Sequence, residues 1–193
     1  MDKTHLISSS GIWDIQLAKD KHKFDKLLCG AIASIYKPFR AVDLGCGLGH
    51  YCRVLHYGFG WPIVDGFEGT ENIKWLSPNY ANIQKVDLST KIDDDIKYDF
   101  VLCLEVGEHI PAEKESIFID NVCNLSLKDI LLSWAIPDQG GKGHVNELPN
   151  ASIISSFSKR GFAINYKKTK YCRKHSSLKW FKNTLMAFER KHA

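Results

Sequence analysis

Apolar residues recur at three-and-four spacing between residues 13 and 36, where Phe24, Leu27, Leu28, Ala31, Ile32 and Ile35 share one stripe. That periodicity predicts a single helix over 13–36, stopped by Pro38. The short apolar run "RAVDL" (40–44) predicts a first strand. A helix from about residue 48 follows, with Tyr51, Val54 and Leu55 on one face, and "GFGWP" (58–62) turns the chain. "IVDGFE" (63–68) predicts a second strand, "NIKWL" (72–76) a short helix and "NIQKVDL" (82–88) a third strand. "YDFVLCLE" (98–105) predicts a fourth strand, covered on both faces because four apolar residues run together at 101–104. A helix over 112–124 and a fifth strand, "LKDILLSWAI" (127–136), come next. The glycine-rich loop "QGGKGHVNELPN" (139–150) leads into a helix at about 150–160. "FAINYKK" (162–168) and "NTLMAFER" (183–190) show no helical pattern between them, so they are expected to close the chain as an antiparallel hairpin.

Alternation of strands and helices predicts an α/β fold with a mainly parallel sheet. A length of 193 residues suits one domain over 1–193, with 1–37 as an N-terminal cap and 38–193 as the core. Composition adds little beyond a soluble class: 44% of residues are hydrophobic and 25% charged. No apolar run approaches the ~20 residues of a membrane span, and the N-terminus lacks a signal pattern. A cytoplasmic protein without a membrane partner is expected. Six cysteines form no CxxC pair and none sits with histidine at zinc-like spacing, so reduced thiols and no metal site are expected. Much of the net charge of +4 gathers in 166–183, a stretch rich in Lys and without an acid. Such a strip either protects a hairpin edge or contacts an anionic partner such as RNA.

In an open parallel sheet, ligands sit beyond the carboxyl ends of the strands. After the first strand comes Asp43-Leu44-Gly45-Cys46-Gly47-Leu48-Gly49. Glycines let backbone approach a ligand closely, and a helix N-terminus favours negative charge. The spacing is G-x-G-x-G rather than the dinucleotide G-x-G-x-x-G. Asp43, two residues before the first glycine, would repel a pyrophosphate and suits a ligand carrying positive charge. Glu68, ending the second strand, either accepts bonds from ribose hydroxyls or is an acid at a helix N-terminus. Asp87, ending the third, either accepts from an adenine amine or shapes a turn before Ser89 and Thr90.

Glycine turn, ribose acid and adenine acid, in that order at three strand ends, resemble the class I S-adenosylmethionine-dependent methyltransferases over roughly residues 38–190. The resemblance implies a Rossmann-like, doubly wound seven-stranded sheet ordered 3-2-1-4-5-7-6, with an antiparallel last strand. It implies S-adenosylmethionine as cofactor, leaving as S-adenosylhomocysteine. Gly45, Gly47 and Gly49 would pack on the methionine portion and Asp43 would hold its amino end. Glu68 and Asp87 would take the ribose and adenine, with Cys46, Gly69, Leu88 and Glu105 completing the cofactor contacts.

The stretch "CLEVGEHIPAE" (103–113) resembles a variant found in small-molecule methyltransferases, with Glu105, Glu108 and His109 facing the crevice. Transfer of a methyl from a sulfonium dissipates charge, so positioning supplies much of the rate. A base is needed only for a protonated nucleophile, and His109 is the candidate. Across the crevice, the mobile loop after the fifth strand offers Lys142, His144 and Asn146. Trp13 and Ile12 in the N-terminal segment suit a lid or plain packing. The expected catalytic residues are therefore His109 and His144, and the expected substrate contacts Trp13, Glu108, His109, His144 and Asn146. A small-molecule acceptor with an oxygen or nitrogen nucleophile is the leading expectation. An RNA or protein acceptor docked on 166–183 is the second, a non-catalytic cofactor-binding regulatory partner the third, and a dinucleotide dehydrogenase the remaining rival.

Overall fold

A computed structural model describes residues 6–73, 82–93 and 95–191. Seven strands form one sheet: β1 (Arg40–Leu44), β2 (Ile63–Glu68), β3 (Ile83–Lys85), β4 (Tyr98–Cys103), β5 (Ser126–Leu132), β6 (Phe162–Ile164) and β7 (Met186–Arg190). Their order is β3-β2-β1-β4-β5-β7-β6. β1 pairs in parallel with β2 and β4, β2 with β3, and β4 with β5. β7 runs antiparallel to both β5 and β6. The order reverses between β1 and β4, which puts the switch-point crevice at the carboxyl ends of those two strands.

Period-two alternation divides β4 between two cores. Phe100 and Leu102 enter one with Leu28, Ile32, Tyr36 and Trp61. Val101 and Cys103 enter the other with Phe118, Val122, Trp134 and Phe157. Both faces of this strand are buried, as its unbroken apolar run requires. All six cysteines are buried as free thiols and serve as small apolar packing groups.

The first predicted helix is two helices, Ile15–Lys21 and Lys26–Ile35. Asp25 breaks them apart. One of its carboxylate oxygens caps the second helix by accepting the Leu28 amide at 3.0 Å. The other accepts from the Ser176 hydroxyl at 2.7 Å and from the Ser177 and Leu178 amides at 2.7 and 3.0 Å. Asp25 is 0% exposed, so one buried carboxylate joins the N-terminal helices to a loop some 150 residues downstream.

The expected closing hairpin is also corrected. β6 and β7 do pair antiparallel, but a helix, Tyr166–His175, and a short second helix, Phe181–Thr184, lie between them. Asn165 caps the longer helix through the Lys168 amide, and only Thr169 and Cys172 of it are buried. The basic strip is thus a helix face rather than a strand edge. One of its lysines is used internally: Lys168 Nζ reaches Asp129 at 2.7 Å and Glu189 at 2.8 Å, and lies 4.7 Å from the Tyr36 ring centroid. Most of the helix expected over 72–76 falls outside the described residues. Among the described residues, no helix is long and apolar enough to cross a membrane.

Candidate active site

The turn between β1 and the helix His50–Arg53 is fixed by backbone. The amides of Gly45 and Cys46 both donate to the Phe67 carbonyl, at 2.8 and 3.1 Å, which ties the turn to the end of β2. Glu68, at that end, accepts the Gly47 amide on Oε2 at 2.7 Å. Its Oε1 accepts both the amide and the hydroxyl of Thr70 at 3.0 Å. Three of a carboxylate's roughly four acceptor positions are filled by protein, leaving one for a ligand hydroxyl. Gly47 has φ of 51°, and a Cβ there would meet the His22 ring at 1.9 Å. The close approach at this glycine is therefore made by His22, which the sequence pattern did not single out.

Asp43 is buried beneath this turn. Burial first, and then the nearby Glu68 charge, push its carboxyl up to about 8, while a weak contact with the Cys52 thiol works the other way. Such a group lacks a cationic partner. Asp87 accepts the Ser89 amide on Oδ1 at 2.9 Å, so it does shape a turn. That loop is held by the buried Asn121, whose side chain donates to the carbonyls of Leu88 and Thr90 and accepts the Ile92 amide.

Past β4 the chain bends sharply. Glu105 has φ of 55°, a left-handed backbone that is unusual for a residue with a side chain, and its amide donates to the Ser133 hydroxyl at 2.7 Å. A tight turn, Gly107–His109, follows. His109 Nδ1 lies 3.1 Å from the Gly143 carbonyl. Because a carbonyl only accepts, Nδ1 carries the proton there. Burial holds the His109 imidazole down at about 4, so the ring is neutral. The His144 ring stands edge-on to it, with centroids 5.0 Å apart, and its Nδ1 lies 2.8 Å from Glu147. The loop carrying His144 is tied down: Val145 and Asn146 amides donate to the Glu108 carbonyl, and the Leu148 amide to Ala135. The N-terminal segment closes the other side. Trp13 packs edge-on to His109 at 5.2 Å, its carbonyl accepts from the Thr70 hydroxyl, and a Cβ on Gly11 would meet the His109 carbonyl at 2.0 Å.

These groups line a half-open cavity of about 510 Å³, the size of a small-molecule site. Asp43, Gly45, Gly47, Glu68, Gly69, Asp87, Leu88 and Glu105 line it, and so do Trp13, His109, Lys142 and His144. Cys46, Gly49, Glu108 and Asn146 are not among the lining residues. Cys46 is buried against Gly66, and Gly49 starts the following helix. Glu108 is fully buried behind the wall. Asn146 donates its side-chain amide to Glu115 at 3.0 Å instead of facing the crevice. Lining residues that the sequence did not single out include Lys21, His22, Gln139, Trp180 and Phe181. The aromatic pair in the basic strip was the one visible signal among them.

The site fits S-adenosylmethionine on its own observations. A buried, charge-starved carboxylate at Asp43 suits a cationic ligand, and the cavity runs from there past Glu68 to Asp87. Glu105 also keeps a buried oxygen, Oε1, that makes no hydrogen bond of good geometry among the described residues. When bound, this cofactor supplies an electrophilic methyl group on a sulfonium.

The methyltransferase-domain family matches residues 18–126, more than half of the chain. No curated protein sequence matches it. Among solved structures, magnesium protoporphyrin IX methyltransferase from Synechocystis, with S-adenosylhomocysteine bound, is 20% identical, with a TM-score of 0.65 over 92% of this chain and 83% of that one. An amino pentose methyltransferase from Micromonospora echinaspora is 14% identical, with a TM-score of 0.64 over 91% of each chain. The methyltransferase complexed with the Trm112 activator of Haloferax volcanii is 12% identical, with a TM-score of 0.65 over 93% of each. At these identities the likeness is one of fold. Together with the family match, it identifies the chain as a member of the methyltransferase-domain family, an S-adenosylmethionine-dependent methyltransferase with the seven-stranded Rossmann-like fold.

Proposed function

We propose that the chain methylates an oxygen or nitrogen of a small molecule. One observation carries this reading: a single half-open cavity joins the Asp43–Glu68–Asp87 side to His109 and His144, with Trp13 and Lys142 also on its wall. In this reading Asp43 holds the cofactor's amino end, Glu68 a ribose hydroxyl through its remaining acceptor position, and Asp87 the adenine amine. Gly45, Gly47, Gly69, Leu88 and Glu105 supply further cofactor contacts. His109 and His144 are the catalytic contacts with the acceptor, and Trp13 walls its side of the cavity. Both rings have Nδ1 engaged, by Gly143 and Glu147, which leaves Nε2 as the ring atom available to the acceptor. The cavity walls hold the acceptor near attack distance.

The test is production of S-adenosylhomocysteine from S-adenosylmethionine with two acceptor panels: small hydroxyl and amine compounds, and structured or single-stranded RNA. Turnover confined to small molecules is expected. Turnover confined to RNA, lost as salt rises, would contradict the proposal and move the acceptor to the basic helix Tyr166–His175.

A further inference from the structure

Glu108 is fully buried, and among the described residues neither of its carboxylate oxygens makes a hydrogen bond of good geometry, although the Glu105 carboxyl and the Ala135 amide lie beside it. A carboxylate taken out of water with nothing to bond is costly, and native structures rarely tolerate it without an ion, a proton or a water. It does not stand alone. One ligand atom each from Glu108, His109 and His144 lie within 4.8 Å of one another.

The two histidines are already oriented. His109 Nδ1 donates to the Gly143 carbonyl and His144 Nδ1 to the Glu147 carboxylate, so Nε2 is the ring atom each histidine has left to offer a cation. A carbonyl and a carboxylate behind two imidazoles are the outer partners that metal-bound histidines have, because they fix the tautomer and the ring plane. Glu105 adds a second buried carboxylate oxygen, beside that of Glu108, where Gln139 holds its other oxygen at 3.3 Å.

We propose that Glu108, His109 and His144 bind a divalent first-row cation, in the range Mn²⁺ to Zn²⁺, with Glu105 available as a further carboxylate ligand. Two imidazoles and a carboxylate suit these ions, whereas Mg²⁺ and Ca²⁺ take oxygen ligands. Three protein donors leave coordination positions open. The cation can therefore hold an acceptor oxygen and make its hydroxyl more acidic. That consequence rests on the reading given under Proposed function; the binding of the cation does not. The hydroxyl proton leaves to solvent, the oxygen lone pair forms the bond to the methyl carbon, and the carbon–sulfur bond breaks with its electrons on sulfur. A nitrogen that holds a cation cannot also take a proton, so the two histidines act as ligands rather than as bases.

The test uses the full chain stripped with EDTA and titrated with MnCl2, followed by calorimetry and by loss of the free-ion paramagnetic signal. One Mn²⁺ per chain is expected. Glu108→Gln and His144→Ala should each weaken binding at least tenfold, and Glu147→Ala by about 10–100-fold through the outer contact. MgCl2 should bind more weakly than MnCl2. Binding of S-adenosylhomocysteine to each variant, read separately as a rise in melting temperature, reports an intact cavity. A chain that takes S-adenosylhomocysteine but no Mn²⁺ overturns the cation and leaves the methyltransferase reading standing. Mn²⁺ binding unchanged in both Glu108→Gln and His144→Ala also overturns it. A chain that takes Mn²⁺ in the expected pattern but no S-adenosylhomocysteine supports the cation site and counts against the cofactor assignment.

Discussion

The Glu68 carboxylate accepts the Gly47 amide at 2.7 Å, joining the end of β2 to the glycine turn after β1. It holds the Thr70 amide and hydroxyl at the same time. Shape and charge at this corner therefore depend on an acceptor at both oxygens. Glu68→Gln should be nearly as harmful as Glu68→Ala, because its NH2 would face an amide hydrogen on one side or the other. Each charge-assisted bond of this kind contributes about 1.5–3 kcal/mol. Calorimetry with S-adenosylhomocysteine is expected to show at least a tenfold loss of affinity in both variants. A Gln variant that binds as well as wild type would show that the corner does not need the carboxylate.

Asp43 gives the site a pH dependence of known sign. With its carboxyl pushed up to about 8, the free protein holds it mostly protonated at neutral pH. A bound ammonium favours the carboxylate and lowers that value, so binding below pH 8 releases a proton. Affinity for S-adenosylhomocysteine should climb between pH 6 and 8, by at most about tenfold per pH unit, and flatten above. Besides burial, the neighbours that shift the Asp43 carboxyl are Glu68, which raises it, and Cys52, which lowers it. Calorimetry in two buffers of different ionisation enthalpy counts the released proton. Asp43→Asn should abolish both the slope and the release, and a slope that survives in Asp43→Asn would assign it elsewhere.

Asp25 acts in the opposite direction. Burial alone would raise its carboxyl, but the bonds from Leu28, Ser176, Leu178 and Ser177 outweigh burial and hold it below the usual range. A depressed folded-state value contributes stability that is present above the unfolded carboxylate value of about 3.9 and is lost as pH falls through the folded one. Asp25→Ala should cost about 3 kcal/mol or more at pH 7, since several charge-assisted bonds vanish at once. Urea unfolding should show the gap to wild type shrinking toward pH 3. An equal gap at both pH values would contradict the assignment.

Gly47 carries two separable constraints. Its left-handed φ of 51° costs about 1–2 kcal/mol for any L side chain, and a Cβ would collide with the His22 ring. Gly47→Ala should therefore destabilise wild type more than it destabilises His22→Ala, where only the backbone strain remains. Identical losses in the two backgrounds would remove His22 from this contact.

Strands were the legible part of this chain. β1 and β2 match the runs "RAVDL" and "IVDGFE" at both ends, because a strand buried among others must be apolar along its length. The helix Tyr166–His175 was invisible to the same reasoning. It buries little more than Thr169 and Cys172, so its sequence shows no apolar stripe, while the Asn165 cap and Lys168, bridging Asp129 and Glu189, tie it in place. Asp25 could have been read as a helix cap before an apolar run, which would have split the first helix correctly. Asp43, Glu68 and Asp87 line one cavity because a parallel sheet sends every strand end to one rim. His22 was not legible, since its partner Gly47 is remote in sequence and no local pattern records the contact. Nor could the sequence separate Glu105, on the cavity wall, from Glu108 buried behind it, three residues apart on a tight turn.

Calorimetric titration of the purified chain with S-adenosylhomocysteine, beside NAD under the same conditions, tests the cofactor assignment most directly. The account predicts saturable one-to-one binding of S-adenosylhomocysteine that Asp43→Ala weakens, and no heat from NAD. Binding of NAD in place of S-adenosylhomocysteine, or S-adenosylhomocysteine affinity unaltered by Asp43→Ala, would contradict it.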